Sequence, residues 1–344
     1  MPKYETGRFL TGDLSGHPAV AAWVRLRQAR SRPASVAVLK ERHDGKEARS
    51  AVYRLAGVGL AETDVIAKRC LRPLAALETT IYEEVLPSVP VPILAYYGTL
   101  DEPGSEFSWI FVQDAGQQAL LPHSARHRAA AATWLGIVHV STQRLPPIPG
   151  LPHRDLASYR EHLETARQLI LGYLDRAPGA VAETEALVNL LRLAERLERE
   201  WSRLRALCDA IPATFVHGDF VARNIRLRAN GDQLIVLPFD WEWSGWGTPA
   251  IDLAQSALGS TRNCADPDLT TYWMVVGDHW PGIEAHTVRR LAVAGTLLRL
   301  LNAVYWAALG LSYEWMARSV RNLTVYEGGM ARALQAWDSG AGGQ

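Results

Sequence analysis

The stretch His217-Gly218-Asp219-Phe220-Val221-Ala222-Arg223-Asn224 (HGDFVARN) places a carboxylate and a carboxamide on one turn, and a second carboxylate, Asp240, ends the apolar run QLIVLPF that follows. Between them Asn230-Gly231 is a strong signal for a tight hairpin. Residues 214–228 and 233–239 therefore read as short β-rich runs that bring Asn224 alongside Asp240. A carboxylate at the end of an apolar strand is expensive to hold near a core without a partner. A divalent cation would explain it: Mg²⁺ takes hard oxygen donors and keeps phosphates and waters as its other ligands, so one carboxylate and one amide suffice. The remaining aspartate, Asp219, can accept a hydrogen bond from an attacking hydroxyl. Such positioning and charge neutralisation are what phosphoryl transfer chiefly needs.

Upstream of this island the pattern changes twice. Residues 17–30 have helical spacing, with Ala19, Trp23, Leu26 and Arg30 on successive turns. Runs 35–40, 49–55 and 64–70 then alternate like strands, punctuated by Gly45 and by Gly57-Val58-Gly59, and predict an antiparallel meander. Residues 75–86 put Leu77, Ile81 and Val85 on one helical stripe, ended by Pro87 and the Pro90/Pro92 pair. Two more strands, 93–99 and 107–113, follow. A five-stranded sheet with one helix is expected, closed by the break at Asp114-Ala115-Gly116. Beyond it helix dominates, over 124–140, about 155–175 and 181–209, where Leu187, Leu190, Leu197, Trp201 and Leu204 form an apolar stripe.

The composition permits this and excludes other classes. Lys plus Arg equals Asp plus Glu at 36 each, so no global field favours nucleic acid or a membrane, and neither is expected as a partner. Cys70, Cys208 and Cys264 are widely spaced and form no CxxC pair, which argues against a disulfide framework or a thiolate metal site. The opening MPKYETGRFLTGD lacks the apolar core of a signal sequence, and a cytoplasmic location is expected. The most apolar stretch, 291–311, is interrupted by Thr296, Arg299 and Asn302 and reads as a buried helix of the larger lobe.

HGDFVARN resembles the HGDxxxxN catalytic loop of the aminoglycoside phosphotransferase family, a branch of the protein-kinase-like fold that includes choline and other small-molecule kinases. FDWEW at 239–243 resembles the family's metal-binding strand end, and GTPAIDLA at 247–254 its GxPxxDLA segment. The resemblance implies a catalytic base at Asp219, Mg²⁺ ligands at Asn224 and Asp240, and supporting roles for His217 and Asp252. Lys68 in VIAKRC resembles the strand lysine that contacts the α- and β-phosphates of ATP or GTP, and Glu78 its helix partner. Residues 110–116, with Gln113 and Ala115, match the hinge that meets the base, and LGIVH at 135–139 looks like a helix end whose histidine is structural. The turn expected to cover the phosphates, near 43–52, has only Gly45, so Ser50 and backbone N–H groups would have to serve. Arg223 stands where many members have glycine; its charge could reach a phosphate or pair with an acid. Glu242 reads equally as a metal-shell acid or a salt-bridge partner. Trp241, Trp243 and Trp246 read as core rather than as an aromatic cage.

The expectation is an α+β, two-lobed protein-kinase-like fold, with a nucleotide-binding lobe over 1–114 and a helical catalytic and substrate-binding lobe over 115–344. Its activity would be transfer of the γ-phosphate of ATP or GTP to a hydroxyl of a small molecule. Too few residues separate Asp240 from Asp252 for an activation segment to hold a peptide. An aminoglycoside or another hydroxylated natural product leads as acceptor, with a metabolite alcohol such as choline, homoserine or a sugar as runner-up. A regulatory pseudokinase is the rival of another class. Tyr305, Trp306, Glu314 and Trp315 are the candidate acceptor-binding residues.

Overall fold

The computed structural model of the chain describes residues 7–28, 32–44, 47–146, 148–176, 181–254, 268–313 and 316–340. The chain divides into two compact units. The first comprises Met1–Leu120, Ile148–Gly150 and Ala222–Glu242, and the second Leu121–Pro147, Leu151–Val221 and Trp243–Gln344.

The first unit is built on an antiparallel sheet of strands β1 (Phe9–Leu10), β2 (Val36–Asp44), β3 (Glu47–Leu55), β4 (Val65–Leu71), β5 (Tyr96–Asp101) and β6 (Phe107–Gln113), in the order β1-β2-β3-β4-β6-β5. The sheet thus has six strands where the periodicity predicts five. The extra one, β1, pairs Phe9 with Ala37 and Leu10 with Val36. So short a run has no period of its own, and only its distant partner makes it a strand.

Alternation along each strand sorts the two faces of the sheet. Ala51, Tyr53 and Leu55, Val65 and Ala67, and Trp109 and Phe111 point into one core, which Ala19, Val20 and Trp23 of helix α1 (Pro18–Arg27) close. Their sequence neighbours Ser50, Val52, Arg54, Ile66, Lys68, Cys70, Ile110 and Val112 line a cavity on the other face. Helix α2 (Arg72–Thr80) follows β4 directly and carries Glu78 as a buried position. The helical run predicted over 75–86 continues beyond α2, but as one wider π turn at Ile81–Val85 and a 3₁₀ turn at Leu86–Ser88.

The hairpin Ile225–Asn230/Gln233–Pro238 forms where Asn230-Gly231 signals a turn, but its two-residue loop is Gly231-Asp232: Asn230 pairs across to Gln233, and Gly231 takes φ 58°. Leu227 N–H donates to the Gln118 carbonyl at 2.8 Å. The hairpin accordingly belongs with the sheet unit, whereas a division at 114/115 assigns it to the helical one.

The second unit consists of α3 (Ala125–Thr142), α4 (Leu156–Arg176), α5 (Val181–Asp209), α6 (Ala250–Leu253), α7 (Leu269–Val276), α8 (Ala285–Leu309) and α9 (Met316–Asp338), with short strands at His153–Arg154, Thr214–Val216 and Gly245–Gly247. Helix α5 buries the predicted stripe of Leu187, Leu190, Leu197, Trp201 and Leu204. Helix α8 is buried on most of its circumference, among α4, α6 and α9. At Gly295 it approaches α6 so closely that a Cβ would lie 1.8 Å from the Ala250 carbonyl oxygen.

That close crossing holds α6, and α6 holds the loop that leads to Asp219. The buried Asp252 carboxylate accepts the backbone N–H of His217 at 2.7 Å through Oδ2 and that of Gly218 at 2.8 Å through Oδ1. His139 of α3 meets the same carboxylate at 3.4 Å, while its other ring nitrogen contacts the Tyr272 hydroxyl at 2.9 Å. Burial acts to raise the Asp252 pKa, but the contact from His139, the nearby His217 and the backbone donors hold it below the usual aspartate value. Gly218 itself is at φ 74°, and a Cβ there would sit 2.1 Å from the Trp243 carbonyl oxygen, so only glycine fits.

Two stability measurements test this arrangement. Gly→Ala inside a helix ordinarily stabilises by about 0.5–1 kcal/mol; Gly295→Ala is expected to reverse that sign and lower thermal stability by about 1–3 kcal/mol through overpacking. Asp252→Ala strands the buried His217 N–H and the part-buried Gly218 N–H and should lose about 2–5 kcal/mol in urea unfolding. Because the folded-state carboxyl titrates lower than the unfolded one, its contribution is complete above roughly pH 3.9 and is withdrawn as pH falls through the folded value. Asp252→Asn should therefore be weaker at neutral pH and lose less than the wild type across that acid window.

Candidate functional site

Each unit gathers part of the chemistry. In the first, a cavity of about 560 Å³ is lined by residues of that unit alone, and Ser50, Lys68, Glu78, Gln113, Ala115, Asp240 and Glu242 are among them. Lys68 sits mid-strand in β4, paired across to Val52 and Ile110, so its side chain leaves the cavity face of the sheet. Its ammonium donates to Glu78 Oε1 at 2.5 Å and to Asp240 Oδ1 at 2.8 Å. Among the acids of the following helix, it is thus Glu78, 3% exposed, and not Glu83 or Glu84, that makes the ion pair.

These buried charges shape one another. Burial disfavours the Lys68 ammonium, but the carboxylates of Glu78 and Asp240 overcome this and hold its pKa well above the ordinary lysine value. Burial pushes the Glu78 carboxyl up, against the pull of Lys68. It also drives the neighbouring Cys70 thiol up to about 12, which leaves that sulfur protonated and unreactive.

Asp240 adopts φ 71°, a left-handed conformation that a short polar side chain tolerates better than most. It follows directly on Phe239, whose N–H donates to the Asn224 carbonyl at 3.0 Å, so the hairpin brings the two candidate ligands to one end. Asn224 is fully buried on the 3₁₀ turn Ala222–Asn224. The segment after β6 is held as well: Asp114 pairs with Arg54 and accepts the Gly116 N–H at 3.0 Å. Arg223 is exposed, lies outside the cavity lining and offers its carbonyl to Arg226. Residues 45 and 46, where the phosphate-covering turn is expected, lie outside the described residues.

Arg226 is a cavity residue that sequence reasoning misses. It is buried, its guanidinium lies 5.2 Å from the centroid of Phe239, and it also donates to the Ile225 carbonyl at 3.0 Å.

In the second unit, Asp219 is buried at the end of the loop that Asp252 secures. His217 serves the loop: its carbonyl accepts the Ser244 hydroxyl at 3.0 Å, and its Nδ1 meets the Asp219 N–H at 3.4 Å. Arg299 of α8, only 4% exposed, donates through Nη2 to Asp219 Oδ1 at 2.8 Å. Sequence reasoning misses this partner too. Its one signal is a lone cation in the apolar run TLLRLL, which also marks the helix as buried. Of the candidate acceptor residues, Tyr305 stacks on His162 at 4.1 Å and half-exposed Trp306 meets Trp243 edge-on at 5.3 Å. Glu314 and Trp315 lie outside the described residues. Trp241 is core, 1% exposed, and packs edge-on against Tyr82.

Comparisons with known proteins bear on this geometry. No curated protein sequence is a significant match. Among solved structures, the chain is similar in fold to a microcompartment-associated aminopropanol kinase, at 13% identity and TM-score 0.59, covering 93% of this chain and 98% of that one. It is similar to the GDP complex of wild-type aminoglycoside 2'-phosphotransferase-IIIa, at 11% identity and TM-score 0.56, covering 90% and 97% of the respective chains. Choline kinase from Cryptosporidium parvum Iowa II matches at 11% identity and TM-score 0.55, covering 87% and 90%. At such identities these structures establish the shared protein-kinase-like fold. The family model described as the phosphotransferase enzyme family (APH) matches residues 69–285, well over half of the chain. The chain therefore belongs to the APH phosphotransferase enzyme family and is a small-molecule phosphotransferase acting on hydroxyl groups.

Proposed function

We propose that the chain transfers the γ-phosphate of ATP or GTP, with Mg²⁺, to a hydroxyl of a small molecule, using Asp219 as the base that aims the acceptor. The observation that carries this reading is Lys68 bound at once to Glu78 and Asp240 on the wall of the first unit's cavity. A strand lysine fixed by a helix acid presents its charge at a defined point, as phosphate binding requires. Gln113 and Ala115 at the end of β6 would receive the base, and Ser50 of β3 faces the same cavity.

The donor set suits a small hard cation. Asp240 and Asn224 offer a carboxylate and a carboxamide at one end of the hairpin, and Glu242 lines the cavity beside them. When bound, Mg²⁺ would neutralise phosphate charge there. Transfer forms an acceptor O–P bond as the bond from the γ-phosphorus to the nucleoside diphosphate oxygen breaks. The acceptor's hydroxyl proton passes to the Asp219 carboxylate, which Arg299 orients through Oδ1.

Asp219→Asn is expected to keep nucleotide binding, by calorimetry, while turnover falls about a hundred- to ten-thousand-fold; near wild-type turnover would refute the role. Lys68→Ala should raise the apparent KM for the nucleotide. Asp240→Ala should abolish Mg-dependent transfer, and Asn224→Ala should shift the Mg²⁺ requirement upward. Activity and melting temperature followed across a Mg²⁺ titration decide the last pair, because a destabilised Asp240→Ala protein with unchanged Mg²⁺ dependence would show a structural role alone.

A further inference from the structure

Apart from Asp252, which is spent on the N–H groups of His217 and Gly218, the charged partners gathered near Asp219 within the second unit are cations, with aromatic rings beside them. Arg299 uses Nη2 on Asp219, yet its Nε and Nη1 are buried with no hydrogen-bond partner among the described residues. One turn along α8, Asn302 Oδ1 is likewise buried and unpartnered, as is Nδ1 of His162 on the facing helix α4. A buried polar atom left unpaired costs about 1–3 kcal/mol. Those of Arg299 lie on the side chain that holds the candidate base, and together these atoms point to groups that a ligand satisfies.

A second cation converges on the same place. Arg154 donates from Nε to the Trp243 carbonyl at 3.0 Å, the oxygen against which Gly218 is packed. No carboxylate pairs with Arg154 among the described residues. Its sequence neighbour Asp155 is engaged in capping α4, accepting the Ser158 N–H at 2.9 Å and its hydroxyl at 3.0 Å. The buried Tyr159 side chain feels both the Arg154 and the Arg299 charge. Trp243, Trp306, Tyr305 and His162 continue the wall in successive ring contacts. Arg299 is balanced by Asp219, and Asp252 is spent on the loop's backbone N–H groups, which leaves Arg154 as the cation without a carboxylate partner among the described residues.

We propose that this wall is the acceptor subsite and that the acceptor is a hydroxylated compound carrying an anionic group, with Arg154 as its specificity-determining residue. The inference rests on Asp219 being the carboxylate that aims the acceptor. A polycation such as an aminoglycoside would meet Arg154 as a like charge, which disfavours it. A hydroxy acid places its charge against Arg154 and its hydroxyl toward Asp219, with its carbon skeleton along the Trp243 and Trp306 rings.

The test is acceptor-dependent ADP release with matched polyols whose terminal group is a carboxylate, a hydroxymethyl or an aminomethyl: gluconate, glucitol, glucamine and their shorter homologues, with kanamycin as the polycation. The acids are expected to exceed their neutral and amino counterparts in kcat/KM by about ten- to a hundredfold, the worth of one charge-assisted hydrogen bond. Arg154→Gln should erase that ratio, and Arg154→Lys should keep most of it. Preference for the amines or kanamycin, no sorting by charge, or a ratio that survives Arg154→Gln would overturn the proposal. Nucleotide hydrolysis by the wild type without acceptor separates the two levels. If it is Mg-dependent while cationic acceptors win, only the acceptor class is wrong. If neither hydrolysis nor transfer to any member occurs, the transferase reading of the site falls with it.

Discussion

A single carboxylate, Asp252, organises the second unit. It takes two consecutive backbone N–H groups from the loop before Asp219 and a ring nitrogen from α3. Loop backbone that would otherwise spend its donors on water is thereby held in one conformation, with Gly218 pressed on the Trp243 carbonyl where no side chain fits. The same tether closes a circuit: α6 carries Asp252, Gly295 lets α8 touch α6, and a turn later α8 delivers Arg299 to Asp219. Each member is placed by the others. A buried ion pair is weak evidence for stability in itself, since desolvation opposes it. Here its effect is geometric, fixing one oxygen of a carboxylate.

The first unit solves a different electrostatic problem. Lys68 leaves an apolar strand into a cavity and would be costly there alone. Two carboxylates, one from the next helix and one from a hairpin far along the chain, keep it charged. The sheet makes this possible because alternation gives one face to the aromatic core around Trp23, Trp109 and Phe111 and leaves the other for polar groups.

What could be read from the sequence follows from how local each signal is. The Asn230-Gly231 turn, the stripe of α5 and the alternation through Lys68 are written in neighbouring residues, and the elements appear where those patterns put them. Glu78 is marked only by resemblance to a family pattern, and the ion pair shows which face of α2 meets β4. By contrast, β1 is a strand only because Val36 and Ala37 lie beside it. Arg299 lies 80 residues from Asp219, and Arg154 reaches a carbonyl 89 residues away. No local period encodes such pairings. A lone arginine in an apolar helix announces that it has a partner without naming it.

The discontinuity of the first unit bears on how the chain is made. Its six-stranded sheet is finished by Gln113, but the segment with the hairpin that completes the unit begins only at Ala222. During synthesis the ammonium of Lys68 and the carboxylate of Glu78 emerge long before Asp240, 172 residues after Lys68. Contacts of such sequence separation form late, because loop closure must be met before they return any stabilisation. The intervening α3, α4 and α5 are rich in local contacts and are free to form first. A fragment ending at residue 120 would therefore hold the strands but not the finished cavity, and exchanging this unit between relatives requires transplanting three separate segments together.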